Sequence, residues 1–206
     1  MVDDLFSHKT LIEFFAQKVQ TSLAEQGARV SKEVEFYLVQ LLLHFSLSKN
    51  FFSVDESGHL TQRPLALKLY DAVFSEHEDK RFYHLKSLGD TALYHAGVFY
   101  EGLCHQIVDV DYYINMGGQA YSSLANLSTT RASIGRLKEI FAELSENFRE
   151  LVEVLYLSCE SEVVCTDNDV LKLLDRYFKT KSKKAQALLK ENGICLENLV
   201  QNKLIQ

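Results

Sequence analysis

Apolar residues recur at three- and four-residue steps along most of this 206-residue chain, with Pro64 as its one proline. That spacing collects side chains on one face of a helix, where a half-buried strand would alternate. A fold rich in strands and tight turns needs more breakers than one proline and nine glycines. Strand–helix alternation is also missing, so neither a Rossmann-type fold nor a TIM barrel is supported. The expectation is all-α: a single-domain bundle of about seven to nine helices over residues 1–206, with a small hairpin or ordered loop near residues 51–62.

The individual runs follow the same logic. Ser7 to Gln26 lines up Leu11, Ile12, Phe15, Val19 and Leu23, and Gly27 is a natural left-handed stop. Ser31 caps a run from Lys32 to about Leu47, apolar enough to be read as central to the core. FFSVDESGHLTQR breaks the rhythm, and Pro64 suits the first position of a short helix reaching Val73 or Phe74. Ser75 reads as the cap of a long helix to about Tyr100, with Leu85, Leu88, Ala92, Leu93, Ala96 and Phe99 on one arc. Asp109 or Asp111 opens the next, with Val110, Ile114, Gly117, Tyr121, Leu124 and Ser128 in line. Gly89 and Gly117 fall inside those arcs, where a missing side chain lets a neighbour approach.

From Thr129 the periodicity runs through Ile134, Leu137, Phe141 and Leu144 to Phe148, Leu151 and Leu155, with a break expected near Ser145. Residues 166–193 read as a basic helical hairpin on or next to the main bundle, capped by Thr166 or Asp167 and by Ser182, and closed by Gly193.

The net charge of −6 disfavours broad binding to nucleic acid or anionic membranes. Charge is uneven: from Asp169 onward eight Lys and Arg face four acids, which leaves −6 − 4 = −10 for the preceding part. The opening MVDDLFSHKT is acidic, and the four cysteines (Cys104, Cys159, Cys165, Cys195) have no CxxC spacing. They read as reduced thiols, and the expected compartment is the cytoplasm. No apolar run reaches the roughly 20 residues of a membrane span.

Chemical motifs are conspicuous by their omission. There is no phosphate loop, GxGxxG, GxSxG or HExxH, and not the two Glu-x-x-His motifs that build di-iron bundles. No catalytic, cofactor-binding or metal residue is assigned and no cofactor is expected. Attention falls on Phe82–Leu127, which holds five of the nine glycines. There Asp90, with Lys86 one turn before and Tyr94 one turn after, reads as a polar anchor fed by neighbouring tyrosine hydroxyls. Tyr112 projects away from the core stripe that takes Tyr113 and Tyr121. Asp90, Tyr94, Asp111, Tyr112 and Asn115 are the candidate interaction or ligand surface.

A weaker polar cluster is Glu101, His105 and Asp109, spaced i, i+4, i+8, able in principle to serve as ligands or an acid–base pair. His84 and His95 are about 16 Å apart along a helix and cannot share one metal; both read as solvated or half-buried. Cys104 and His105 point about 100° apart, which disfavours a nucleophile–base pair. KTKSKK (Lys179–Lys184) reads as a solvated helix–loop.

Five stretches, EFYLVQLL (Glu35–Leu42), RPLAL (Arg63–Leu67), LKSLGDTALYHAGVF (Leu85–Phe99), VDVDYYINMGGQAY (Val108–Tyr121) and LLDRYFKTKSKKAQALLKENGI, carry a resemblance. The chain resembles a group of uncharacterised bacterial, delta-proteobacterial-type, all-helical proteins of unknown function. The resemblance implies a whole domain and brings no activity with it; in similar sequences the place of His95 is often apolar.

The functional expectation is a cytoplasmic, non-enzymatic protein acting through protein–protein contacts, in an adaptor or regulatory role, with a homodimer as one form. The alternative is a helical metal- or small-molecule-binding enzyme using the carboxylate/His cluster around residues 101–111. A nucleic-acid-associated role for the basic hairpin is a third, weaker reading.

Overall fold

The computed structural model describes residues 10–47, 53–54, 60–61, 63–103, 108–127, 135–159 and 170–194. It is all-helical, with ten helices among the described residues. The chain runs α1 (Leu11–Gln26), α2 (Lys32–Ser46), a two-residue ladder of β1 (Ser53–Val54) with β2 (Leu60–Thr61), α3 (Leu65–Val73) and α4 (Glu78–Val98). It continues with α5 (Tyr100–Leu103), α6 (Val110–Ala125), α7 (Gly135–Glu146), α8 (Phe148–Cys159), α9 (Val170–Thr180) and α10 (Lys183–Glu191). The ladder is antiparallel, pairing Ser53 with Thr61 and Val54 with Leu60. The count exceeds the expected range because two runs divide, one at Phe99 and one at Asn147.

Several boundaries differ from the expected ones for local reasons. Thr10 caps α1: its backbone is extended, and it shares a reciprocal capping box with Glu13. Pro64 takes the N-cap of α3 rather than its first helical position. His77, not Ser75, sits at the N-cap of α4 and makes no side-chain cap bond. The break expected near Ser145 falls at Asn147, whose side-chain amide donates to the Glu143 carbonyl. Gly27 closes α1 at φ +62°. Ser31 caps α2 through Val34 N–H while its own N–H and hydroxyl both donate to Glu143 of α7, at 2.6 Å each. The DESG turn, Ser128, Thr166 and Asp167 lie outside the described residues.

The centre of the core belongs to α4 rather than to α2. Ten residues of α4 between Leu85 and Gly97 are buried, six of them consecutive from Leu88 to Leu93, so every side of this stretch is covered. α6 packs on it most extensively, with α3, α8 and α2 on its other sides. The glycines explain how close α6 comes. A β-carbon on Gly117 would lie 2.3 Å from the Phe148 ring and 2.8 Å from the Ala92 Cβ; one on Gly89 would lie 2.5 Å from the Tyr121 ring. Fully enclosed Leu38, Leu88, Leu93, Leu124 and Leu151 each contribute about 1.5–3 kcal/mol by leaving water. Phe99, expected on the buried arc, is 44% exposed because the chain leaves helical geometry there.

The C-terminal hairpin of α9 and α10 has its own small apolar nucleus, Leu173, Ala185 and Leu189. It lies against α8 and α1.

Candidate functional site

The five candidate surface residues separate into two groups. Asp90 is buried, with its carboxylate between three helices. Oδ1 accepts from Tyr37 of α2 at 2.5 Å and from Tyr121 of α6 at 2.7 Å, and Oδ2 takes Lys86 at 2.5 Å. The hydroxyl donors are therefore Tyr37 and Tyr121, rather than the same-helix Tyr94 that spacing pointed to. Burial, then the Asp90 charge, push both phenols up from their ordinary pKa, so they stay protonated donors. Tyr94 turns inward, stacked on Phe45 at 4.6 Å between ring centroids. Asp90 and Tyr94 thus bind α4 to its neighbours and present little surface.

Asp111, Tyr112 and Asn115 stand on the outer side of α6. Asp111 meets Arg149 at 3.3 Å, with both side chains more than 40% exposed, a pair worth little in water. Asn115 lines a cleft of about 500 Å³. Gln119 and Ser122 of α6, Ser145 of α7, Arg149 of α8 and Lys181 of the α9–α10 turn line it as well. Tyr112 is 38% exposed, edge-on to Tyr113.

The weaker cluster does not meet among the described residues. Glu101 accepts from Tyr156 at 3.0 Å, while Asp109 caps α6 and takes Lys179 at 2.8 Å. His105 and Cys104 lie outside the described residues. No group of three His, Cys, Asp or Glu among the described residues is placed to hold a metal ion. His95, expected to be solvated or half-buried, is 7% exposed and stacked on Tyr113 at 5.5 Å. Burial, with the nearby Lys68 charge second, lowers its pKa to about 4, so it is neutral at neutral pH.

The KTKSKK run is solvated at Lys181, Lys183 and Lys184, which are exposed, but Thr180 and Ser182 between them are buried. Its residues complete a second buried carboxylate site around Glu153, which is fully enclosed within α8. Arg176 of α9 reaches both Glu153 oxygens through Nε, at 3.1 Å, and Nη2. The Thr180 hydroxyl lies 2.9 Å away and Ser182 donates at 2.7 Å. Tyr156 lies beneath the guanidinium, its ring centroid 4.0 Å from Cζ. Lys179 is pinned between Asp109 and Asp175. Lys181 sits at φ +57°, the left-handed stop of α9, and its carbonyl accepts from the Gln26 side chain, which in turn accepts from Lys183 N–H. One signal for this site stood in the sequence: Glu153 is a lone carboxylate among Leu151, Val152, Val154 and Leu155.

α3 carries the other unforeseen feature. At 100° per residue, Leu65 and Ala72 face the core, and Lys68 sits beside them. The Lys68 ammonium donates to Ser87 at 3.0 Å and Thr91 at 2.9 Å, both on α4; desolvation lowers its pKa. The opposite arc of about 160° is formed by Ala66, Leu67, Leu69, Tyr70, Val73 and Phe74, all of them exposed. The helix is inside out: its lysine faces in and its large apolar groups face water.

No helix among the described residues is long and apolar enough to cross a membrane. Compared with protein-family models, with curated proteins and with solved structures, the chain matches none of them.

Proposed function

We propose that this is a cytoplasmic, non-enzymatic protein that acts through protein–protein contacts, in an adaptor or regulatory role, with α3 as its contact surface. One observation carries the reading: Leu67, Tyr70, Val73 and Phe74 are 50%, 58%, 57% and 66% exposed on one side of a single helix. A large side chain exposes on the order of 150–250 Å² when free. The arc therefore leaves roughly 500 Å² of apolar surface in water, at the level where a patch on a monomer is often functional. It favours α3 as the contact over Asp111, Tyr112 and Asn115, whose surface is mostly polar.

The test is the triple variant Leu67→Ser, Tyr70→Ser, Phe74→Ser. Below the concentration at which copies associate, a face reserved for a partner contributes nothing to the fold, so the melting temperature there stays within about 2 °C of the parent, below the shift from 1 kcal/mol. A fall of more than about 8 °C would make these side chains part of the chain's own core and end the reading.

A second reading, as a binder of a small polar molecule, is favoured by the cleft between α6 and α8, where Arg149, Lys181, Glu146 and Glu150 meet Asn115, Gln119 and Ser122. Thermal-shift titration with phosphate, dicarboxylates and amino acids tests it; a melting temperature unmoved by all of them removes it.

A further inference from the structure

Resting on the contact reading of α3, we infer that the partner is a second copy of this chain, docked helix to helix, antiparallel, about a two-fold axis through Tyr70. The argument is self-complementarity. In a two-fold antiparallel helix pair, residues whose numbers sum to a constant face each other. The exposed arc runs from Ala66 to Phe74; its midpoint in length is Tyr70, which lies about 20° from its angular centre. Centred there, small Ala66 lies opposite the partner's Phe74, Leu67 opposite the partner's Val73, and the two Tyr70 rings meet on the axis. Large against small at facing positions is the pattern that lets two surfaces interdigitate.

Charge agrees with the same register. Arg63, whose guanidinium is 52% exposed and touches Asp71 on one side, stands just before one end of α3, and antiparallel pairing brings it to the far end of the other copy's α3. It thereby meets the exposed acids Glu76, Glu78 and Asp79 that follow α3; Lys80 and Arg81 stand one step further along α4. A parallel pairing would instead set Arg63 against Arg63. Area agrees as well. A stable dimer needs about 800 Å² from each copy; the apolar arc supplies about 500 Å². Arg63, the acidic turn and Tyr83 supply the remainder. Tyr83 is 68% exposed and lies one helical turn before Ser87, which touches α3.

The experiment places a photo-crosslinking p-benzoylphenylalanine at position 70 in the full chain and irradiates it in the producing cell. The expected product runs at twice the 23.6 kDa of the chain. An adduct of any other mass overturns the second copy while leaving the contact reading of α3 standing; no adduct at all overturns both. Sedimentation from about 2 to about 200 µM adds the register, because only a specific dimer is concentration-dependent and charge-coded. Tyr70→Asp is expected to sediment as a folded monomer with an unchanged helical circular dichroism spectrum. Arg63→Glu weakens the dimer about tenfold, and adding Glu76→Lys with Glu78→Lys restores it. A dimer indifferent to Arg63→Glu refutes this register.

Discussion

Two buried carboxylates hold this molecule together in different ways. Asp90 draws its donors from α2, α4 and α6, three elements of the main core, and two of the donors are neutral phenols. Glu153 draws all of its donors from the C-terminal hairpin: a guanidinium and two hydroxyls, 23 to 29 residues downstream. Asp90 sits among helices that would bury apolar surface against each other regardless. Glu153 mounts a hairpin whose own apolar nucleus is small and separate. The first arrangement refines a core and the second attaches a part. Polar energy matters more where less apolar surface is shared, since an unpaired buried ion costs more than a well-made pair returns.

The largest test breaks the attachment. Glu153→Ala leaves the Arg176 guanidinium buried without its counter-charge and costs about 3–5 kcal/mol in urea unfolding. Amide exchange in α9 and α10 rises more than in α4. The double change Glu153→Met with Arg176→Met recovers most of the loss, because neither charge is then stranded. A single variant within about 1 kcal/mol of the parent would remove the distinction drawn here.

Asp90→Asn weakens three charge-assisted bonds but strands no ion, since Lys86 is 41% exposed and rehydrates. The expected cost is about 2–3 kcal/mol, spread over α2, α4 and α6 with the hairpin unaffected.

Acid reaches the main core through His95. His95 has its pKa lowered to about 4 by burial, against about 6.5 in an unfolded chain. Above pH 6.5 it is neutral in both states and has no effect on stability. As the pH falls from 6.5 toward 4, the unfolded chain takes up a proton that the folded one refuses, and stability drops. Between pH 7 and 5 this component is about 2 kcal/mol, and His95→Phe removes it from the stability profile. A His95→Phe profile parallel to that of the parent would refute this assignment.

The smallest expected effect is Lys86→Ala. The half-exposed pair with Asp90 contributes less than about 1 kcal/mol, whereas Tyr37→Phe, which removes a hydroxyl from the dry side of the same carboxylate, costs about 1 kcal/mol. Reversal of that order would mean that the wet side of Asp90 carries the anchor.

Helix content was open to reading because each helix writes its own period into contiguous residues. Ser31, Ser182 and Gly27 could be placed for the same reason, and Gly89 and Gly117 because they interrupt an apolar stripe. What resisted reading was rotation and long-range pairing. LALKLYDAV is apolar on nearly every side, so periodicity cannot say that Lys68 turns in and Tyr70 out; Ser87 and Thr91, waiting on α4, decide it. The donors of Glu153 are ordinary Arg, Thr and Ser, whose meeting depends on how the hairpin folds back. Within the candidate surface, projection placed Tyr112 outward, but it could not supply Tyr37 or Tyr121 as the partners of Asp90, because that pairing crosses 53 and 31 residues.

Gln26 carries one more consequence. Its side-chain amide spans the α9–α10 turn as a length of backbone would, donating to the Lys181 carbonyl and accepting from Lys183 N–H, across 155 and 157 residues. Ser22, one turn earlier, receives the Ser158 hydroxyl across 136. On the ribosome, then, α1 waits, one flank bare, while the eight described helices from α2 to α9 are made. Such a chain has no stable N-terminal half to fall back on. Its assembly is a circle that closes only with the hairpin of α9 and α10.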